Sequence, residues 1–236
     1  MPILERIAKA VAPEGKVPHI VEIGPGRGAL TRQLLPLTDR LTAIEVDPEM
    51  VQTLASEFPE HPWLEVVAAN VLETDLGQWG RCVLAGNLPY YISSPIMSQV
   101  FAAQDSWERA VFLVQLEVAQ RMAAVPNSRD YGYLSVLTQL HARAKILFQV
   151  PPGAFSPPPK VKSAVILLEP LEVDREWAKG FLKFVSAAFH QKRKTLRNNL
   201  GALYPKERVE TQPESGLRAE QLSIEQLKSL YARLLS

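Results

Sequence analysis

From about residue 3 to residue 115, the apolar positions alternate between a helical period and short runs that are apolar or β-branched throughout. Runs of the second kind suit strands buried on both faces. Their alternation with helical stretches predicts βαβ units around a parallel sheet. The expected strands cover 19–23, 41–46, 63–69, 82–85 and 110–115, with helices between them and one helix starting near Ala29. Asp47-Pro48 reads as an N-cap followed by proline at the first helical position, and Ser94-Pro95 repeats the device. Both place helix starts directly after strands.

Beyond Tyr131 the rhythm changes to a helical stretch ending near His141, a strand over 145–150 and another over 161–168. Between those strands runs Pro151-Pro152-Gly153-Ala154-Phe155-Ser156-Pro157-Pro158-Pro159, too rich in proline for a helix or a central strand. It is expected to be a stiff surface loop leading into an antiparallel hairpin. After Pro170 the chain reads helical, and Ser223-Ile224-Glu225-Gln226 fits a capping box. The expected organisation is an α/β domain over 1–171 and a small helical domain over 172–236.

A chain of 236 residues that is 47% hydrophobic can bury a substantial core. No run approaches eighteen uninterrupted apolar residues, and the first residues lack the pattern of a signal peptide, so a cytoplasmic protein without membrane contact is expected. The single cysteine, Cys82, lies in an apolar run and reads as an inert core thiol, so neither an intramolecular disulfide nor a cysteine-cluster metal site is expected. The absence of heptads and of an apolar surface run favours a monomer. A formal net charge of +1 excludes a domain that is basic throughout, so any nucleic-acid contact must come from a local patch. One such patch is Lys192-Arg193-Lys194 with Arg197 and Lys206, although a short basic run also suits a solvated helix face.

The glycine turn Val21-Glu22-Ile23-Gly24-Pro25-Gly26-Arg27-Gly28 follows the first expected strand. Its glycines let the backbone approach a ligand, although any tight βα connection could use them. The second strand ends in Ile44-Glu45-Val46-Asp47, placing a carboxylate at the edge where a ribose offers two hydroxyls. Phosphate-bearing cofactors fit poorly, because no G-x-x-x-x-G-K-[ST] occurs and Glu22 would repel phosphate. S-adenosylmethionine carries no phosphate, and its cationic groups favour nearby carboxylates.

Asn87-Leu88-Pro89-Tyr90 follows the fourth strand at the same sheet edge. An adenine N6 amine is a weak nucleophile, because its lone pair is delocalised into the ring. Acceptors on its N–H groups would draw it towards tetrahedral geometry. The Asn87 side-chain oxygen and the Leu88 carbonyl suit that task, with Pro89 fixing the turn and Tyr90 stacking on a base. A proline turn with a buried aromatic would leave the same trace.

In the order Gly24-x-Gly26-x-Gly28, Glu45, Asn87-Leu88-Pro89-Tyr90, Phe155 to Ser163 and Lys192-Arg193-Lys194-Thr195-Leu196, these segments resemble the ribosomal RNA adenine N6,N6-dimethyltransferases, in particular the bacterial small-subunit branch. The resemblance spans nearly the whole chain. It implies a Rossmann-like class I S-adenosylmethionine-dependent methyltransferase domain with a small C-terminal helical domain, acting during ribosome biogenesis on the RNA of the immature small subunit. Its implied substrate is a pair of adjacent adenosines, each methylated twice. The residues expected at the cofactor are Glu22, Gly24, Gly26, Gly28, Glu45, Val46, Asn70, Val71 and Asn87. Asn87, Leu88, Pro89 and Tyr90 are expected at the target, with Phe155 on the opposite face of the base. Lys160, Lys192, Arg193, Lys194 and Arg197 are expected on RNA phosphates, and no metal is implied.

The sequence also departs from the family's pattern. The usual N-terminal arm with G-Q-x-F-L has no counterpart before Met1-Pro2-Ile3-Leu4, Asn70 stands where an aspartate is usual, and Leu116 where a lysine is usual. Asn70 is expected to weaken cofactor binding without abolishing it. The missing arm and Asn70 keep open a ribosome-assembly or RNA-binding protein on a relic methyltransferase fold; a large-subunit RNA adenine methylase or an enzyme acting on a small amine is a further alternative, against which the proline-rich Phe155 loop and the long helical tail speak.

Overall fold

The structure is a computed structural model that describes residues 2–155 and 158–235. Seven strands, β1 (Val17–Ile23), β2 (Thr38–Glu45), β3 (Leu64–Ala68), β4 (Cys82–Asn87), β5 (Trp107–Gln115), β6 (Ala142–Val150) and β7 (Ser163–Pro170), form one sheet in the order β3-β2-β1-β4-β5-β7-β6. The pairs β1/β2, β2/β3, β1/β4 and β4/β5 are parallel, and β7 runs antiparallel to β5. Each expected strand exists, with ends shifted by a few residues. Val46, expected within the second strand, lies just outside it and is 67% exposed. The helices are α1 (Ile3–Val11), α2 (Thr31–Leu34), α3 (Pro48–Glu57), α4 (Ser93–Ala102), α5 (Leu116–Met122), α6 (Tyr133–His141), α7 (Arg175–Ala188), α8 (Leu196–Leu200), α9 (Lys206–Glu210) and α10 (Ile224–Leu235).

The helix ends follow local chemistry. Asp47 caps α3 by accepting the Glu49 N–H at 2.9 Å, with Pro48 at the first helical position. Ser223 and Gln226 exchange the two bonds of a capping box at the start of α10. Two expectations need correction. Ser94 does not cap α4, which begins at Ser93, two residues before Pro95, with Ile92 as its N-cap. Proline fits anywhere in a helix's first turn, where its missing N–H is not needed, so Pro95 does not mark the boundary. The helix expected near Ala29 begins at Thr31, because Gly28 first closes a turn onto the Pro25 carbonyl.

The chain forms two compact units, one comprising the chain up to Ala119 with Arg143–Pro170, the other Gln120–Ala142 with the chain from Leu171 onward. It therefore passes between units three times, not once at residue 171. The reason is the apolar stripe of α6, whose Val136 and Leu140 are buried in the same core as Phe181, Phe184 and Leu230. In that core Gly180 of α7 leaves room for the Tyr231 hydroxyl, and Trp177 stacks on Phe181 at 4.9 Å. No helix among the described residues is long and apolar enough to cross a membrane.

In the first unit, β1 and β4 are buried along their shared length, and Ile20, Val83, Ala85, Val111 and Val165 belong to one core. Burial also pushes the Cys82 thiol up to about 12, which keeps it protonated and unreactive. Gly86 is a point of close approach between β1 and β4, since a Cβ there would sit 2.5 Å from the Ile23 carbonyl oxygen. Backbone cannot yield as a flexible side chain does. Gly86→Ala should therefore lower unfolding stability in urea by about 2 kcal/mol or more; an unchanged midpoint would show that β1 and β4 do not approach this closely.

Candidate active site

A cleft of about 390 Å³ opens at the carboxyl ends of β1, β2 and β3, floored by Ile23, Ile44, Val71 and Ile96. Its volume falls within the usual range for small-ligand sites. Gly24 and Gly26 form one wall with φ of +68° and +55°, where a side chain would be strained and would cover the backbone. Gly28 has another role and does not line the cleft. A Cβ there would meet the Phe58 ring at 2.7 Å, so this glycine lets the turn pack on α3.

Glu45 joins the two loops at the cleft. One carboxylate oxygen accepts the Gly26 N–H at 3.0 Å, and the other accepts the N–H groups of Val46 and Asp47 at 2.9 and 3.0 Å. A carboxylate offers about four lone-pair positions, so roughly one remains for a hydroxyl in the cleft. Asn70 also lines the cleft, where its side-chain oxygen accepts the Leu72 N–H at 3.1 Å and its amide nitrogen donates to Glu73 at 3.0 Å. That leaves one lone pair on the Asn70 oxygen. An apolar floor, exposed glycine backbone and two part-used acceptors fit an adenosine with ribose hydroxyls and an amine to donate.

Glu22 does not reach the cleft. Its side chain is turned into the sheet, 1% exposed, and accepts the Thr31 hydroxyl at 2.7 Å. Burial pushes its carboxyl up to about 7, opposed by the Thr31 hydrogen bond and reinforced by the charge of Glu45. Glu22 lies in the stretch of β1 that is covered on both faces, although position in the sequence alone places it beside the turn. Several residues of the cleft carried no signal as single letters: Met50, Tyr91 and Ile92 line it, and Tyr91 is 85% exposed at its rim.

The target-side turn leaves β4 at Asn87, an exposed residue at the end of the strand. Leu88 is buried, and its N–H continues the ladder to Leu113 at 3.0 Å. Pro89 borders the cleft, so the Asn87–Tyr90 turn and the glycine turn meet at one edge of the sheet. The Tyr90 hydroxyl lies 2.6 Å from the Ser163 hydroxyl, and Ser93 donates to the Tyr90 carbonyl at 3.1 Å. Phe155 is half-buried against the core of the same unit, while Ser156 and Pro157 of its motif lie outside the described residues. Lys160 is exposed in the loop before β7, and Leu116 opens α5 with its N–H on the Lys162 carbonyl at 3.0 Å.

The basic run lies in the second unit, in the loop between α7 and α8. Arg193 and Lys194 are exposed, Lys192 donates to the Arg129 carbonyl, and Arg197 lies 3.7 Å from Glu210. Asn199, buried, shapes this loop by donating to the carbonyls of Ala188 and Gln191 at 2.7 and 3.1 Å. The sequence reading missed it, although an asparagine inside an apolar helix face was a signal. Charge is divided unevenly: the second unit holds 14 Lys and Arg against 9 Asp and Glu, net +5, and the first holds 12 against 16, net −4.

A parallel sheet with a ligand cleft over its β1 and β2 ends, and an antiparallel strand added beyond β5, defines a Rossmann-like class I methyltransferase. A dimethyladenosine transferase from Plasmodium falciparum has this fold with a TM-score of 0.83, at 24% identity over 98% of this chain and 94% of that one. The 23S rRNA methyltransferase ErmE gives a TM-score of 0.74, at 27% identity over 99% and 97% of the two chains. The family profile described as ribosomal RNA adenine dimethylase matches residues 2–235, and the chain belongs to that family. A ribosomal RNA small subunit methyltransferase A from Acidobacterium capsulatum is 44% identical over 91% of this chain and 81% of its own.

The buried Glu22 gives a pH test. Its folded-state value lies above the usual value of 4.5, so its contribution to stability is fully present below about pH 4.5 and is lost as pH rises towards 7. Between about pH 5 and pH 8, wild type should lose stability relative to Glu22→Gln by an amount of order 3 kcal/mol, read from urea midpoints. A difference that stays flat would mean that Glu22 is solvated.

Proposed function

We propose that this chain transfers methyl groups from S-adenosylmethionine to N6 of adjacent adenosines in small-subunit ribosomal RNA, giving N6,N6-dimethyladenosine. The observation that carries the reading is the meeting, at one sheet edge, of the cleft holding Glu45 and Asn70 with the Asn87–Tyr90 turn. The identity of 44% to a small-subunit enzyme, against 27% to a 23S enzyme, favours the small subunit over the large one.

The residues present suit the cofactor. Glu45 accepts from the ribose, Asn70 from the adenine amine, and the glycine backbone at Gly24 and Gly26 allows close approach. Val46 and Val71 border the adenosine. Bound there, S-adenosylmethionine supplies a methyl group on a cationic sulfur. The Asn87 oxygen and the Leu88 carbonyl then accept the two N6 protons of the target, which localises the nitrogen lone pair towards the methyl group. Transfer there would form the N–C bond as the methyl–sulfur bond breaks, with S-adenosylhomocysteine as product and the surplus N6 proton passing to water. Tyr90 and Phe155 hold the base by its faces, each stack contributing about 1–3 kcal/mol against the cost of unstacking it from RNA. Lys160 and the basic loop of the second unit neutralise phosphates, in keeping with that unit's net charge of +5. The reading places the protein in the cytoplasm as a monomer on immature small subunits.

A labelled-methyl assay on unmethylated small subunits, with nucleoside analysis, tests it. Asn87→Ala should abolish N6,N6-dimethyladenosine while calorimetry shows cofactor affinity within severalfold of wild type; full activity in this variant refutes the assignment. Wild type that binds no cofactor would favour a relic fold. Reversing Arg193 and Lys194 to glutamate should weaken RNA binding across sequences and flatten its salt dependence by about two phosphate contacts. An unchanged slope would place the RNA elsewhere.

A further inference from the structure

Tyr90 and Ser163 are 73 positions apart, and the hydrogen bond of 2.6 Å between their hydroxyls joins the Asn87–Tyr90 turn to the entry of β7. The two ends of this bond differ in rigidity. Ser163 is fully buried and pairs with Gln115 of β5, and the Lys162 carbonyl beside it accepts the Leu116 N–H at 3.0 Å. Its backbone, from which the hydroxyl projects, is therefore fixed by the sheet itself. Tyr90 belongs to a turn outside the sheet, and the bonds through the Leu88 N–H and the Tyr90 carbonyl hold its backbone without themselves setting the direction of its side chain. A hydroxyl anchored at its far end fixes the direction of the ring's long axis, because the oxygen moves when the side chain swings about its first torsion. The strand that holds the anchor is also the one entered from the loop bearing Phe155.

We propose that Ser163 is a positioning residue for methyl transfer: it fixes the Tyr90 ring as a wall beside the Asn87 and Leu88 acceptors and ties that wall to the Phe155 side of the site. The proposal rests on the reading of Tyr90 and Asn87 as the target-side groups. A ring free to swing about its first side-chain torsion would still allow the base to enter, but would hold the amine off the acceptors for part of the time. The effect should fall on kcat and leave the cofactor side alone, because neither Tyr90 nor Ser163 lines the cofactor cleft.

The test uses the full chain and two readouts. In the methylation assay, Ser163→Ala and Tyr90→Phe should each lower kcat by about three- to tenfold with cofactor affinity unchanged, and the double variant should lose no more than either single one. Independently of RNA, fluorine NMR of the 3-fluorotyrosine-labelled protein should show one of its six tyrosine lines, assigned by its loss in Tyr90→Phe, shifting or broadening in Ser163→Ala. Additive losses in the double variant, wild-type kcat in both single variants, or an unmoved Tyr90 line each overturn the proposal. If Ser163→Ala does not fold, Tyr90→Phe decides, since it keeps the ring and removes only the hydroxyl; wild-type kcat there refutes the positioning role. A chain whose Tyr90 line responds but which methylates no small-subunit RNA refutes the functional reading and, with it, any role of Ser163 in transfer. A methylating chain with an unresponsive line refutes only the inference about Ser163.

Discussion

Parallel strands cannot be joined by tight hairpins, so each strand of β1, β2, β3 and β4 is followed by a crossover that starts from the same edge of the sheet. This topological constraint gathers the glycine turn, Glu45, Asn70 and the Asn87–Tyr90 turn, although they are spread over more than sixty positions of sequence. Rigidity follows from the same source. β1, β2 and β4 are buried over most of their length, so their turns hang from a packed core, and Gly86 shows how little slack remains between β1 and β4. Site geometry and core packing are therefore one problem here, and a defect in the second is felt in the first.

Within that frame, Glu45 is a structural group as well as a ligand candidate. Three backbone N–H groups from two loops converge on its carboxylate, in the manner of an anion nest turned inside out. Without it the Gly26 turn and the Val46–Asp47 turn would have no direct connection of this kind among the described residues. Removing Glu45 would therefore confound loss of a ribose contact with loss of the cleft wall. Glu22, equally acidic and two residues before Gly24, takes no part in this arrangement, because burial holds it partly neutral beside Thr31.

That contrast marks what was legible in the sequence. Features set by local chemistry could be read directly: the strand runs, the glycine turn, the Asp47 cap and the Ser223–Gln226 box each need only a few consecutive residues. Glu22 and Glu45 look alike in sequence, and only the fold separates an inward carboxylate from one at the edge. Ser94-Pro95 misled because proline is permitted throughout a first turn. The placement of α6 was hidden for a different reason, since an apolar stripe announces burial without saying in which core. The net charge of +1 averaged away a −4 and a +5, a division that appears only once the units are known.

Asn70 shows how a departure from a family pattern can be accommodated locally. An aspartate there would place a second negative charge about 3 Å from Glu73, where the asparagine amide instead donates a hydrogen bond at 3.0 Å. The two partners of the side chain also settle its orientation, with nitrogen towards Glu73 and oxygen towards the Leu72 N–H. The oxygen therefore still faces the backbone it caps, with a lone pair left for an adenine amine, as an aspartate oxygen would have. The substitution gives up charge assistance at that acceptor but removes the repulsion that a charged pair would bring. Under the proposed assignment, Asn70 would give the adenine amine an uncharged acceptor in the same place.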